Sequence, residues 1–303
     1  MKTDSQLLGA IEAGGNKFIC AVGTGPHDVR DRVCIPTTTP KETLVKVIDF
    51  FQSRHRKAPL VAMGIGSFGP LDLQRDSPTY GYITSTPKPG WDDTDVLGPI
   101  RDAINVPIAF DTDVNASALG EHRSGVGVGL HSLVYVTVGT GIGGGAILDG
   151  HPIHGATHPE MGHIRIPHDR ASDSFAGNCP YHGDCFEGLA SGPAIEARWG
   201  RRAESLPEHH PAWALEAEYL AVAMANIAVT LSPQRIILGG GVMKQRQLFP
   251  MIRRRLVEAL NGYAVTQDSI NEFIVPPARE DDSGIAGAFA LAQDILDSKQ
   301  EAT

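Results

Sequence analysis

Apolar positions along the chain fall into a pattern that occurs twice. Leu7 to Gly23 reads as an apolar strand, a Gly14-Gly15 turn and a second apolar strand. The same order returns about 125 residues later, where Val134, Val136 and Val138 alternate into Gly139-Thr140-Gly141 and Gly143-Gly144-Gly145 leads into Ala146-Ile147-Leu148. Alternation with a period of two marks half-buried strands, and the glycines mark tight hairpin tips. The pattern predicts two similarly built halves, each opening with a glycine-tipped hairpin.

Between the hairpins, Leu44, Val45, Val47, Ile48 and Phe51 give one apolar helix face from Lys41 to about Arg56, followed by a buried strand from Leu60 to Ile65. A Pro/Gly-rich stretch from Thr84 to Gly90 runs into Trp91 and a helix with Thr94 as its expected cap. Val106 to Phe110 is the next strand, ending at Asp111-Thr112-Asp113, and Asn115 to Ser124 is helical. Helices are expected at about 189–199 and 212–231, then a strand from Arg235 to Leu238 that leads through Gly239-Gly240-Gly241 into a helix ending near Leu260. Ser283 is the expected cap of a last helix reaching about Asp297. Strands alternating with helices predict an α/β chain with partly parallel sheets, whose ligands bind beyond the carboxyl ends of the strands.

The 303 residues are about twice the ~150 used as a prior for one domain, so two domains are expected. With 35 acidic and 26 basic side chains the net charge is −9. Nothing in that balance offers the basic face that displaces counterions from duplex nucleic acid or an anionic membrane, so neither is an expected partner. The best apolar run, Leu220 to Leu231, includes Asn226 and Thr230 and falls short of the ~18 residues of a membrane span. Asp4, Ser5, Gln6 and Glu12 interrupt any signal-peptide core. Four cysteines are too few for a disulfide scaffold, which places the expected location in the cytoplasm. Cys20 and Cys34 read as buried small hydrophobes.

Phosphates need backbone N–H donors at close range, which glycine permits. Three segments qualify: Gly14, Gly15, Asn16 and Lys17; Gly139, Thr140 and Gly141; and Gly239, Gly240 and Gly241. A hairpin alone explains any one of them, whereas all three together suit a nucleotide held in a cleft between two halves. None is a Walker A loop or a dinucleotide fingerprint. Phosphoryl transfer also needs a carboxylate to take the proton of the attacking hydroxyl. Asp113, at a strand end, is the candidate; a plain helix cap is the alternative, and Asp111 is the nearby competitor.

Six of the twelve histidines lie between 151 and 182. Within that region Cys179-x-x-His182-x-x-Cys185, with His163 sixteen residues upstream of Cys179, supplies the ligand count of a closed structural zinc site. The alternative is two loop thiols and two solvated histidines. Glu160, His163 and Glu187 flank the cluster and are the side-chain types that bind adjacent sugar hydroxyls; alone, they read equally as surface polar residues.

Taken together, Glu12-Ala-Gly-Gly-Asn-Lys17, Asp113-Val-Asn115, Val138-Gly-Thr-Gly-Ile-Gly-Gly144, Glu160-Met-Gly-His163, Cys185-Phe-Glu187 and Leu238-Gly-Gly-Gly241 resemble the ROK family (repressors, ORFs, sugar kinases) over nearly the whole chain. Phe68-Gly-Pro70, Thr86-Pro-Lys-Pro-Gly-Trp91 and Cys179-Pro-Tyr-His-Gly-Asp-Cys185 are most similar to its bacterial fructokinase branch. The resemblance implies an actin-like, ribonuclease-H-like two-domain sugar kinase fold: an N-terminal α/β domain over 1–115 with a C-terminal helix, 284–298, packing back on it, and a C-terminal α/β domain over 116–283 carrying the zinc loop. It implies Asp113 as general base, phosphate loops at Asn16-Lys17 and Thr140-Gly141, and adenosine near Gly239 to Gly241. It further implies sugar contacts at Glu160, His163 and Glu187, zinc on His163, Cys179, His182 and Cys185, magnesium with the ATP, and a homodimer. Thr112, Glu12 and Asn16 depart from the family pattern, in which asparagine, aspartate and threonine are common at those places.

The expected activity is ATP-dependent phosphorylation of fructose on its 6-hydroxyl. Glucose, mannose or N-acetylmannosamine are the alternative substrates of the same chemistry. A sugar-sensing transcriptional regulator is the alternative of another class; the six residues before Leu7 and the acidic charge argue against a DNA-binding helix-turn-helix there.

Overall fold

The computed structural model describes residues 6–301. It divides into two compact units, the first containing residues up to 129, 150–159 and from 281 onward, the second containing 130–149 and 160–280.

Unit 1 is built on a five-stranded sheet in the order β3-β2-β1-β4-β7, from β1 (Leu7–Ala13), β2 (Lys17–Gly25), β3 (Asp28–Pro36), β4 (Leu60–Ser67) and β7 (Ile108–Thr112). The first three strands are antiparallel and the last two join β1 in parallel. The minor strands β5 (Tyr82–Ile83) and β6 (Thr94–Asp95) pair with each other. On one face, α1 (Pro40–His55) and α2 (Leu97–Ile104) close a core holding Phe18, Phe51, Ile65 and Trp91, each with no exposed surface. Burying such a side chain contributes about 1.5–3 kcal/mol. Thr39 caps α1 by accepting from Glu42 N, and Pro40 follows where a missing N–H costs nothing.

Thr94 does not cap α2, because it is already paired in β6. The following residue does that work, with Asp95 Oδ1 accepting from Gly98 N at 2.7 Å. Cys34 also departs from expectation: it is exposed on the sheet's outermost strand, while Cys20 is buried.

The opposite face is covered by α9 (Ser283–Glu301), whose Ile285, Ala288, Phe289 and Ala292 pack on Leu8, Ala10, Ile19, Ala21 and Ala62. Alongside it lies α3 (Asp113–Ser124), and the two helices approach so closely that a Cβ on Gly287 would collide with the carbonyl of Ala116. This packing corrects the expected boundary at 115: α3 stays with the first unit, and the division falls after Gly129. Ser283 is the first residue of α9, and its hydroxyl donates to the buried Glu121 of α3 at 2.7 Å. The short β10 (His151–Pro152) also belongs to this unit.

Unit 2 repeats the plan. The hairpin β8 (Ser132–Val138) and β9 (Ile142–Leu148) is antiparallel, and β11 (Ile236–Gly239) and β12 (Ile274–Val275) extend it in parallel in the order β9-β8-β11-β12. The helix expected at 189–199 is two helices, α4 (Phe186–Ala190) and α5 (Gly192–Trp199), because Ser191 is extended and caps α5 by accepting from Ala194 N. The third glycine run does not open α7 (Leu248–Leu260) directly; a single 3₁₀ turn at Val242–Lys244 comes between them. A one-turn helix, α8 (Ile270–Phe273), precedes β12.

One helix among the described residues, α6 (Ala212–Leu231), has the length and composition of a membrane span. It carries Glu216 and Glu218, and its Trp213, Ala217, Leu220 and Met224 are buried in the protein.

Candidate active site and metal centre

In unit 1, β7 delivers Asp113 to the start of α3. Thr112 is extended (φ −70°, ψ 153°) and its hydroxyl accepts from Asn115 N at 3.1 Å, so Thr112 and not Asp113 caps the helix. Asp113 Oδ1 accepts from Val114 N at 2.9 Å, and burial pushes its carboxyl up to about 7. The neighbouring Asp111 is committed elsewhere. Its Oδ1 accepts from Thr112 N and from Asn115 Nδ2, and its Oδ2 lies 2.9 Å from His154 Nε2. Asp113, by contrast, makes no side-chain bond through its carboxyl among the described residues.

Glu12 is the last residue but one of β1, which Ala13 closes just before the first glycine loop. Burial, then the charge of Asp113, raises its carboxyl to about 7 against the opposing pull of Lys17 and Arg32. Its Oε2 is buried without a hydrogen-bond partner. An orphaned acid beside a second carboxyl is a donor set that suits a hard, oxygen-seeking cation such as magnesium. The loop after it is closed by Gly14 N donating to Lys17 O at 2.9 Å and is held by Thr37, whose hydroxyl donates to Gly14 O at 2.7 Å. Lys17 is exposed.

In unit 2 the other two glycine segments come together. Gly139 N donates to Gly141 O at 2.9 Å across the hairpin tip, and the Cβ position of Gly139 lies 3.7 Å from Gly241 N. Gly240 adopts φ +92° with Val138 backbone where a side chain would be, so only glycine fits. Glu187, in the first turn of α4, accepts from Ile142 N through Oε2 at 2.9 Å. Glu160 stands at the head of the 3₁₀ turn Met161–His163, with His163 N donating to Glu160 O.

The expected zinc ligands also converge. One donor atom from each of His163, Cys179, His182 and Cys185 lies within 4.8 Å of all the others. His163 Nδ1 is 3.5 Å from Cys185 Sγ and 3.7 Å from Cys179 Sγ, and Cys179 Sγ is 3.7 Å from His182 Nδ1. Tetrahedral zinc with bonds of ~2.3 Å to sulfur and ~2.0–2.1 Å to nitrogen puts S···N edges at ~3.6 Å, so the donor set fits that ion. Because Nδ1 of His163 faces the cluster, its Nε2 is left on the other side of the ring.

Sequence reasoning missed two groups. His154 and His158 gave no signal beyond histidine density, yet His154 pairs with Asp111, and His158 Nε2 accepts from Leu71 N at 2.9 Å in the protein interior. The far end of the Cys/His loop is clasped by Arg198, which lies over the Phe175 ring at 4.4 Å and reaches Asp173 at 3.2 Å, while Asp173 also accepts from the Tyr219 hydroxyl.

Two units, each led by a glycine-tipped antiparallel hairpin that continues into parallel strands, define an actin-like α/β protein of the ribonuclease-H-like class. This chain belongs to the ROK family, whose model, described as ROK family, matches residues 8–295. It is similar to a fructokinase of Pediococcus pentosaceus, 47% identical over 290 residues that cover 96% of this chain and 99% of that one. It is also similar to a fructokinase of Zymomonas mobilis, 47% identical over 302 residues covering 96% and 98% of the two chains. Among solved structures it resembles the ROK hexokinase of Thermus thermophilus, with a TM-score of 0.78, 25% identity, and coverage of 97% of this chain and 100% of the other.

Proposed function

We propose that this protein is an ATP-dependent kinase that transfers the γ-phosphoryl group to the 6-hydroxyl of fructose. The observation that carries the reading is Asp113: a strand-end carboxyl raised to about 7, free of the partners that occupy Asp111. A base poised near the working pH is suited to taking a hydroxyl proton as the hydroxyl attacks. The choice of fructose rests on the named relatives at 47% identity.

In this reading Asp113 accepts the 6-hydroxyl proton. Glu160, Glu187 and the Nε2 side of His163 hold other sugar hydroxyls. Gly14, Gly15, Asn16 and Lys17, with Gly139, Thr140 and Gly141, receive the phosphates, and Gly239, Gly240 and Gly241 lie by the adenosine. Magnesium bound at Glu12 would neutralise charge on the phosphates. Zinc on His163, Cys179, His182 and Cys185 would be structural, fixing the His163 ring. The partners are small molecules, and the four free thiols suit a reducing cytoplasm.

A hexose panel with coupled ADP detection tests the proposal. Fructose-dependent ADP release well above that with glucose, mannose or N-acetylmannosamine is the expected result. Preference for another hexose transfers the assignment to that sugar, and sugar-independent or absent turnover rejects the kinase.

A further inference from the structure

Two groups of expected site residues in unit 2 meet at one residue, Ile142. The N–H of Ile142 donates to Glu187 Oε2 at 2.9 Å. Its carbonyl lies against Gly162, where a Cβ would collide with it, and Gly162 sits in the turn between Glu160 and His163. At the other end of the hairpin tip, the Gly139 carbonyl accepts from Gly192 N at 2.8 Å. Glu187 lies in α4 and Gly192 opens α5 just beyond it. The tip from Gly139 to Ile142 is therefore tied at both ends to one short segment. At Gly141 a Cβ would come within 2.8 Å of Glu187 Oε2, so glycine is needed there for the carboxylate to reach its place.

We propose that Glu187 is a positioning residue for the Gly139–Ile142 turn and, through it, couples the sugar positions to the phosphate positions of the kinase. A carboxylate has two oxygens, and Oε2 is committed to Ile142 N. Fixing that N–H fixes the plane of the Gly141–Ile142 peptide, and with it the direction in which Thr140 and Gly141 present their backbone. A sugar hydroxyl engaging the same carboxylate then acts on a group that already sets the turn. Coupling of this kind is reciprocal: whatever factor sugar adds to nucleotide affinity, nucleotide adds to sugar affinity. The proposal rests on the kinase reading, since it assigns the turn to phosphate.

Titration calorimetry with magnesium and a non-hydrolysable ATP analogue, without sugar, provides the test. Glu187→Ala removes the acceptor for Ile142 N and should weaken the analogue about tenfold, within the range for a lost hydrogen bond to a charged group. Glu187→Gln keeps a carbonyl acceptor and should bind the analogue within about twofold of the parent. A residue that only contacted sugar would leave all three affinities equal, and that result overturns the proposal. The converse variant, Gly141→Ala, places a methyl against Glu187 Oε2 and should weaken fructose binding measured without nucleotide. Unchanged fructose affinity there overturns the proposal even if Glu187→Ala fails to fold. Failure of the parent protein to bind the analogue at all would instead reject the kinase reading.

Discussion

His154 Nε2 lies 2.9 Å from Oδ2 of Asp111, while Asn115 Nδ2 donates to the other oxygen of the same carboxylate at 2.8 Å. Two acids, two residues apart on the chain, are thereby given different work. Asp111 is a buried anchor with both oxygens engaged, and Asp113 keeps a carboxyl that makes no side-chain bond among the described residues.

The pair makes a pH-dependent contribution whose sign is fixed. The bond to Asp111 raises the His154 pKa above its ordinary 6.5. A histidine raised in the folded state stabilises fully below 6.5, and that contribution is lost as pH climbs through the folded value. Asp111→Asn should therefore lower the His154 pKa and cost more stability near pH 6 than near pH 9. Histidine titration by NMR and urea melts at the two pH values check it. A cost independent of pH would mean that the pairing carries no linked proton.

Asp113→Asn should reduce kcat by a factor on the order of 10²–10⁴, the usual contribution of a general base. In the parent enzyme kcat/KM should rise with pH through about 7, as the carboxyl loses its proton. Stability should move the other way. The folded state holds a proton between 3.8 and about 7 that the unfolded chain has released, so ionising this desolvated acid costs stability as pH rises through that window. The amide removes that cost. Thermal melts should show Asp113→Asn above the parent at pH 8, by at most about 4 kcal/mol, and nearly level with it at pH 4. Normal turnover in the variant would remove Asp113 from the mechanism.

Both glycine-tipped hairpins, the ends of α6 and the convergence of His163, Cys179, His182 and Cys185 were legible in the sequence, because each rests on local chemistry: period-two alternation, an unbroken helical apolar run, and close spacing of Cys and His. Thr94 and the boundary at 115 were misread because tertiary partners decide them. Thr94 is taken by a short ribbon and α3 by α9, and the bond from Ser283 to Glu121 adds a contact between those two helices that the local sequence does not record. The Ile142–Glu187 bond joins residues 45 apart in sequence, and no periodicity records it. His154 was invisible for the same reason, since its partner is 43 residues away.

Elemental analysis should find about one zinc per chain. Cys179→Ser, or a strong chelator, should raise hydrogen exchange most around Cys179 to Gly188, where the backbone is otherwise held by the Cys179–Gly183 bridge and by Asn178 N donating to Gly188 O. Residues 168–176 should stay protected, because Asp173 is buried against Arg198 and Tyr219 independently of the cluster. Loss of protection across both stretches would make the metal the only fastening. A metal-free protein with unchanged exchange and stability would remove zinc from the structure altogether.

Replacing Gly287 with alanine tests how tightly the last helix is seated. Within a helix, glycine to alanine normally gains about 1 kcal/mol. Here the new Cβ meets the Ala116 carbonyl of α3, and a backbone carbonyl inside a helix has no rotamer through which to yield. Separating α3 from α9 would also loosen the Ser283 to Glu121 bond and the packing of Phe289 on the sheet. Overpacking of this kind costs about 1–3 kcal/mol or more, so the propensity gain is outweighed and the melting temperature should fall by several degrees. Gly15→Ala is the matched control: no atom lies within 4 Å of its Cβ position, and stability should stay within about 0.5 kcal/mol. A Gly287→Ala protein as stable as its parent would show that α3 and α9 separate at little cost, and that Ala116 does not fix their spacing.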